Sequence, residues 1–502
     1  MVMNIKNQVE INIKTIGEKM INRIYYLILI VIKKIYKFLI QNHPDIEFLF
    51  ENYSVKDESK NYWRRGLFIL KLNFVCRYKR IFKDKLIPLD ESESHKHMRR
   101  SPEDLAFKLL KYNIIYFDID LLFYSLIEKE KLDSQALWYN LSRPNPYIFI
   151  IYNILKYNEK KIILLADSNT YTEAQNLLEM FSFEADEVVF NLKEIIKKRR
   201  CYDSTKAALL CSDHSKISKK VRRKKLAFYY YKNINEIGYR YRVLLESPLI
   251  QNAYHSLINF HLHNGVNSYT FAYEFGYIYG GILLLGFCSY LKKCANNELV
   301  FFTSDKGVLL HKIYCELLHG NGLIIPYSST VELKILKDEN ATTSNSKALI
   351  EWLNPLIKKI KRVYIVDTSF NGNGTEGFKR WLSICGEFSC NQIKFAEYCN
   401  FPMSNQSLCQ IATDLLLQKD LFEVKGFNKN SEKGYDLELS IQNKIKYNTK
   451  NIEAGILDFC SNYIKEFDGL HHFFNITGED ATSPLNKLLS KPKYFEKLRG
   501  EL

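Results

Sequence analysis

The sequence predicts an α/β protein with parallel sheets and a mostly helical region in front, and three observations predict it. Short apolar runs recur at Ile114-Ile-Tyr-Phe117, Lys161-Ile-Ile-Leu-Leu-Ala166, Glu298-Leu-Val-Phe-Phe302 and Arg362-Val-Tyr-Ile-Val366, each followed by helical spacing. Strand, helix, strand in this rhythm is the pattern of a parallel sheet with crossover helices. These runs lead into polar residues, as strand ends do when they open onto a ligand crevice. The 502 residues, 46% of them hydrophobic, give room for roughly two to four domains and a sizeable core.

The elements follow in order. Residues 1–100 read as a basic, helical N-terminal region. Its apolar run Ile24-Tyr-Tyr-Leu-Ile-Leu-Ile-Val-Ile32 is shorter than the ~20 residues needed to span a bilayer. A buried helix is expected there; an interfacial helix followed by Lys33, Lys34 and Lys37 is the alternative. No secretory signal pattern is visible, so a cytoplasmic protein is expected, with peripheral membrane contact the second expectation. A polar run, Asp90-Glu-Ser-Glu-Ser-His-Lys-His97, reads as a linker. A first α/β domain is placed at 101–235: a helix from Pro102, the strand through Phe117, the strand ending at Ala166, a helix from Glu173 to Phe181 and a strand at Glu187-Val-Val-Phe190. A second α/β domain with a helical C-terminal part is placed at 236–502. Its strands fall at 298–302, 323–326 and 362–366, with helices at Val308–Leu318, Glu376–Leu382 and near Ile452–Phe459.

Charge narrows the partners without choosing one. The formal net charge of +15 favours anions: phosphorylated small molecules, nucleic acid or an acidic membrane. The basic run Lys219-Lys-Val-Arg-Arg-Lys-Lys225 precedes Phe228-Tyr-Tyr-Tyr231, a combination that can hold nucleic acid by phosphate contacts and stacking. A solvated basic face with inward-packing tyrosines is the stronger reading. The 11 cysteines show no CxxC pair and read as reduced thiols. His255, His261, His263 and His311 show no metal-ligand spacing, so core or surface roles are expected.

Three strand ends carry chemistry-bearing residues: Asp118 and Asp120; Asp167, Ser168 and Thr170; Asp367, Thr368 and Ser369. A lone acid at such a place is commonly a helix cap. The pair Asp118/Asp120 is less easily explained so, because the chain stays apolar after it. One carboxylate can attack phosphorus while the second carries a proton to the leaving group. Their mutual repulsion implies a cation between them, and oxygen ligands suit Mg²⁺. The loop from Asp367 to Thr375, with Thr368, Ser369, Gly374 and Thr375, has the composition of a phosphate-cradling turn.

In order along the chain, Phe117-Asp-Ile-Asp120, Ala166-Asp-Ser-Asn-Thr-Tyr171, Ser204-Thr-Lys-Ala-Ala-Leu-Leu210, Phe302-Thr-Ser-Asp-Lys-Gly-Val-Leu-Leu310 and Val366-Asp-Thr-Ser-Phe-Asn-Gly-Asn-Gly-Thr375 stand as five motifs. Together they resemble the haloacid dehalogenase (HAD)-like superfamily. More narrowly, they resemble the two-domain HAD-like proteins of bacterial surface-polysaccharide and glycosyltransferase gene clusters. The resemblance covers about residues 105–470. It implies a Rossmann-like HAD domain and a Mg²⁺-dependent phosphatase or phosphotransferase acting on a phosphorylated sugar or related metabolite. It makes Asp118 the nucleophile, Asp120 the acid/base and Lys206 the phosphate clamp within reach of Asp118. Ser168 and Thr170 would hold phosphate, and Asp118, Asp120 and Asp213 the metal. It also implies that Asp118 and Ala166 end adjacent parallel strands. The chain departs from the pattern at Leu122, where Thr is expected, and at Ala166, where a hydroxyl is. No acidic fourth motif is visible; Cys211-Ser-Asp-His214 stands where it should fall. An inactive HAD-like protein that binds an anionic glycan precursor, or partners a glycosyltransferase, is the alternative.

Overall fold

The computed structural model describes residues 101–126, 141–166, 168–190, 207–211, 227–230, 245, 247–262, 264, 266–267, 269–304, 306–328, 330–331, 334, 337, 344–357, 362–367, 393–397, 416–417, 422–430, 434–441, 449–467 and 474–489. The chain forms two compact units. The first comprises Met1–Glu91, Tyr239–Arg242 and Lys491–Leu498, all outside the described residues, and the helical region expected at 1–100 lies outside them too. The two parallel sheets belong to the second unit.

Helix α1 (Pro102–Leu109) starts at Ser101, whose hydroxyl accepts from the Asp104 amide. It leads into β1 (Ile114–Asp118), buried at every position. A strand covered on both faces must be apolar throughout, which is why no alternation marks it. One helical turn (Ile119–Leu121) follows, then a hairpin of β2 (Phe123–Ser125) and β3 (Ser142–Pro144). Helix α2 (Pro146–Tyr157) returns the chain to β4 (Lys161–Leu165). Helix α3 (Ser168–Met180), β5 (Glu187–Val189), β6 (Ala207–Cys211) and β7 (Ala227–Tyr230) complete the sheet. Its order is β5-β4-β1-β6-β7, parallel throughout.

Two of these strands depart from the expected layout. β6 includes the Ala-Ala-Leu-Leu residues read as the lysine motif, and β7 includes most of the aromatic run after the basic stretch. Tyr229 of β7 packs edge-on against Tyr112, at 6.2 Å between ring centres. Three of the four aromatics thus lie on a strand of the sheet, and the basic run 219–225 lies outside the described residues.

The second half opens with α4 (Pro248–Leu262). A continuous helix then spans Phe271–Ala295, made of α5 (Phe271–Phe275), a wide turn (Gly276–Gly280) and α6 (Gly281–Ala295). It is long and apolar enough to cross a membrane, yet 94% of its apolar window is buried within the protein. β8 (Leu299–Thr303), α7 (Val308–Lys312), β9 (Gly322–Ile325), α8 (Ser344–Ile357), β10 (Val363–Asp367) and β11 (Ile393–Glu397) follow. They form a parallel sheet in the order β11-β10-β8-β9. The antiparallel pair β12 (Phe422–Asn430) and β13 (Gly434–Ile441) lays Val424 and Phe427 on the core beside α8. Helices α9 (Thr449–Glu466) and α10 (Gly478–Leu489) pack on α6. The expected helix at Glu376–Leu382 lies outside the described residues.

Candidate functional site

The register of the first sheet builds the site. β1 pairs with β4 so that Asp118 stands opposite Leu165, and Ala166 follows directly. Asp118 and Ala166 therefore sit at adjacent carboxyl ends, as expected. β6 flanks β1 on the other side, with Leu210 opposite Phe117. The sheet grows from β1 through β4 to β5 in one direction and through β6 to β7 in the other. The order reverses between β1 and β6, and in open parallel sheets the ligand crevice lies beyond the carboxyl ends at that reversal. Asp118 is at its edge.

The two acids are not equivalent. Asp118 is 1% exposed, while Asp120 faces solvent. The Asp118 Oδ1 accepts from the Asp120 amide at 3.4 Å, capping the turn. Ile119 and Leu121 are buried, so the turn is pinned by its apolar residues while Asp120 projects outward. Leu122, where the resemblance expects Thr, is fully buried. The Ala166 position offers neither a hydroxyl nor a free amide, since its N–H donates to the Val189 carbonyl at 3.1 Å. Ser168 and Thr170 lie in the first turn of α3. α2 and α3 both begin at this end of the sheet, so the positive ends of two helix dipoles face it.

Lys206 directly precedes β6 in the chain. Ala207, the next residue, pairs with Ile114 at the opposite end of β1. At about 3.3 Å per residue, some 13 Å of strand separates that level from Asp118. Lys206 itself lies outside the described residues, as do Asp167 and Asp213; Asp213 follows the end of β6 by two positions.

One residue missed in the sequence holds the acid turn in place. Asn145 donates from its backbone N–H to the Leu122 carbonyl at 2.8 Å and from Nδ2 to the Leu121 carbonyl at 3.1 Å. It is 3% exposed and precedes Pro146 at the start of α2. An Asn-Pro pair is a helix-start signal, but nothing local says that the Asn also reaches back 24 residues. The hairpin beside it is braced from the second half: Arg143 pairs with Glu466 of α9 at 2.5 Å. Tyr124 donates to the Ser256 carbonyl and stacks on Phe260, 5.1 Å between ring centres.

The second sheet has a reversal of its own, between β8 and β10. Val366 stands opposite Phe302, so Thr303 and Asp367 end neighbouring parallel strands. The turn after β8 is tight: Gly307 N–H donates to the Thr303 carbonyl at 3.1 Å, and a Cβ there would sit 2.6 Å from that oxygen. Thr368, Ser369, Gly374 and Thr375 lie outside the described residues.

The fold and this strand end define a doubly wound α/β protein with a buried carboxylate at its topological reversal. No family model and no curated protein matches the chain.

Oxygen donors at Asp118 and Asp120 suit a hard divalent cation better than a soft one. Among the described residues no group of three or more His, Cys, Asp or Glu side chains converges as a metal site. The two acids would supply part of a Mg²⁺ coordination sphere, with Asp213 the expected third.

Proposed function

We propose that this chain is a divergent HAD-like protein that handles a phosphorylated sugar or related metabolite in surface-polysaccharide assembly. The observation that carries the reading is the buried Asp118 at the carboxyl end of the central strand, beside the reversal of strand order. As an enzyme it would act as a phosphatase or phosphotransferase. The Asp118 carboxylate attacks phosphorus and the ester P–O bond breaks. Asp120 gives a proton to the leaving oxygen; water or an acceptor hydroxyl then attacks the phosphoryl group, its proton passes to the Asp120 carboxylate and the Asp118–phosphorus bond breaks. Mg²⁺, when bound, offsets the phosphate charge. Asp120 is exposed and Asp118 buried, so on this reading Asp120 exchanges protons with solvent and Asp118 meets the bound phosphate.

The arrangement at Ala166 favours a second reading: an anion-binding protein without turnover that partners a glycosyltransferase. A site lacking one positioned donor loses about 3 kcal/mol of transition-state stabilisation, on the order of a hundredfold or more in rate. Phosphatase activity on generic phosphate esters is therefore expected to be weak or absent. Mg²⁺ binding measured calorimetrically on the wild type and on Asp118→Asn tests both readings. Binding lost in the variant supports the site at Asp118, and equal binding in both removes it. Brisk Mg²⁺-dependent ester hydrolysis abolished by Asp118→Asn would leave the enzyme reading alone.

A further inference from the structure

A hydrogen-bonded set of titratable side chains lies away from Asp118, where α4, α5 and α9 meet. Backbone contact builds the joint. A Cβ on Gly455 of α9 would sit 2.0 Å from the Tyr273 carbonyl oxygen, and one on Gly276 would sit 2.1 Å from that of Ile452. Glycine at both places lets the helices touch. On α9, Asp458, Asn462 and Glu466 recur every four residues and share one face, turned to the aromatic side chains.

The hydrogens of this set can be assigned. The Tyr273 hydroxyl donates to Asp458 Oδ2 at 2.5 Å. His261 Nε2 lies 2.7 Å from the same hydroxyl, and Asn462 Nδ2 lies 3.4 Å from His261 Nδ1 and 3.2 Å from the Tyr277 hydroxyl. An amide nitrogen only donates, so Nδ1 accepts; Nε2 then carries the hydrogen and donates to Tyr273. The chain runs one way, from Asn462 through His261 and Tyr273 to Asp458, and the imidazole is neutral. Its ring lies between Tyr277, at 4.6 Å and 6°, and Tyr269, at 5.0 Å and 27°. A second proton can enter only at Nδ1, where it meets an N–H of Asn462, donor against donor.

Among the described residues, these groups surround the imidazole. The loop after α4 supplies Tyr269, α5 supplies Tyr273 and Glu274, and the wide turn supplies Tyr277. α9 supplies Asp458 and Glu466, the latter ion-paired to Arg143. The hairpin supplies Tyr124, which feels Tyr277 and Glu466. Burial lowers the His261 pKa from its usual 6.5, and Asp458 opposes that shift. A lowered value means the neutral ring stabilises the fold; that contribution is complete above pH 6.5 and fades as pH falls through the folded value.

We infer that His261 is a proton-operated latch: a proton taken up at Nδ1 turns the Asn462 amide and loosens the α4–α9 joint that braces the β2–β3 hairpin beside Asp118. Both sides of the joint reach that hairpin. α4 does so through Ser256 and Phe260, and α9 through Glu466, one turn from Asn462.

The test uses the full chain and needs no activity, so it stands apart from the phosphate reading. Histidine ring and asparagine amide resonances are followed between about pH 7.5 and pH 5.5. The His261 signal is assigned by its loss in His261→Gln, and hydrogen-exchange protection of the Ser142, Arg143 and Asn145 amides is measured at both ends. The expected result is a His261 midpoint below 6.5, an Asn462 amide shift with the same midpoint, and several-fold lower protection in acid for the wild type only. In Asn462→Asp the midpoint should rise, because a carboxylate accepts from Nδ1–H. A midpoint at or above 6.5 in the wild type, protection unchanged by acid, or protection falling equally in His261→Gln each overturns the latch.

Discussion

Asp118 shows how far a single residue can be read and where reading stops. Its place after four apolar residues announces a strand end, and the second acid announces a site. Which acid is buried is not announced; that follows from Ile119 and Leu121 turning inward and carrying Asp120 out. Asn145 was illegible for a related reason, because its partners are the carbonyls of Leu121 and Leu122, which look the same in every sequence. Asn145→Ala removes the side-chain bond to Leu121, and a buried carbonyl then loses a donor. The expected cost is about 1 kcal/mol in urea unfolding. Faster amide exchange at 119–122 should accompany it. An unchanged exchange pattern would mean that the turn is held by its apolar residues alone.

Among elements, continuous apolar strands were the most readable. β1, β4, β8 and β10 appear within a residue or so of where Ile, Leu, Val and Phe cluster. β6 was missed because Ala-Ala-Leu-Leu-Cys suits a helix equally well, and its strand character comes from its neighbours β1 and β7. The α5–α9 crossing was also hidden, since Tyr273 and Asp458 meet across 185 positions. Here packing reverses an ordinary preference. In an exposed helix Gly→Ala gains up to about 1 kcal/mol. Gly455→Ala would instead press a methyl into the Tyr273 carbonyl at 2.0 Å. The expected loss is about 1–3 kcal/mol in chemical denaturation. The Tyr273–Asp458 bond should lengthen with it, so the His261 midpoint should move in this variant too. A stabilised Gly455→Ala protein would show that the helices separate easily.

At the scale of the molecule, two parallel sheets each reverse their strand order. The sequence made the α/β class legible because crossover helices alternate with strands; it hid the strand order, which depends on pairing over long stretches of chain. That separation has a kinetic side. In the register of β1 with β6, Ile114 meets Ala207, 93 residues further on, while β4 arrives 47 residues on. Closing longer loops costs more entropy before any contact compensates. β4 should therefore join β1 early, and β6 should close the far wall of the Asp118 crevice late. During synthesis the nascent chain carries Asp118 on an open sheet edge until Cys211 has emerged. A chain stalled before that point would hold a half-built sheet, with the central strand and its acid on show to chaperones and to neighbouring copies.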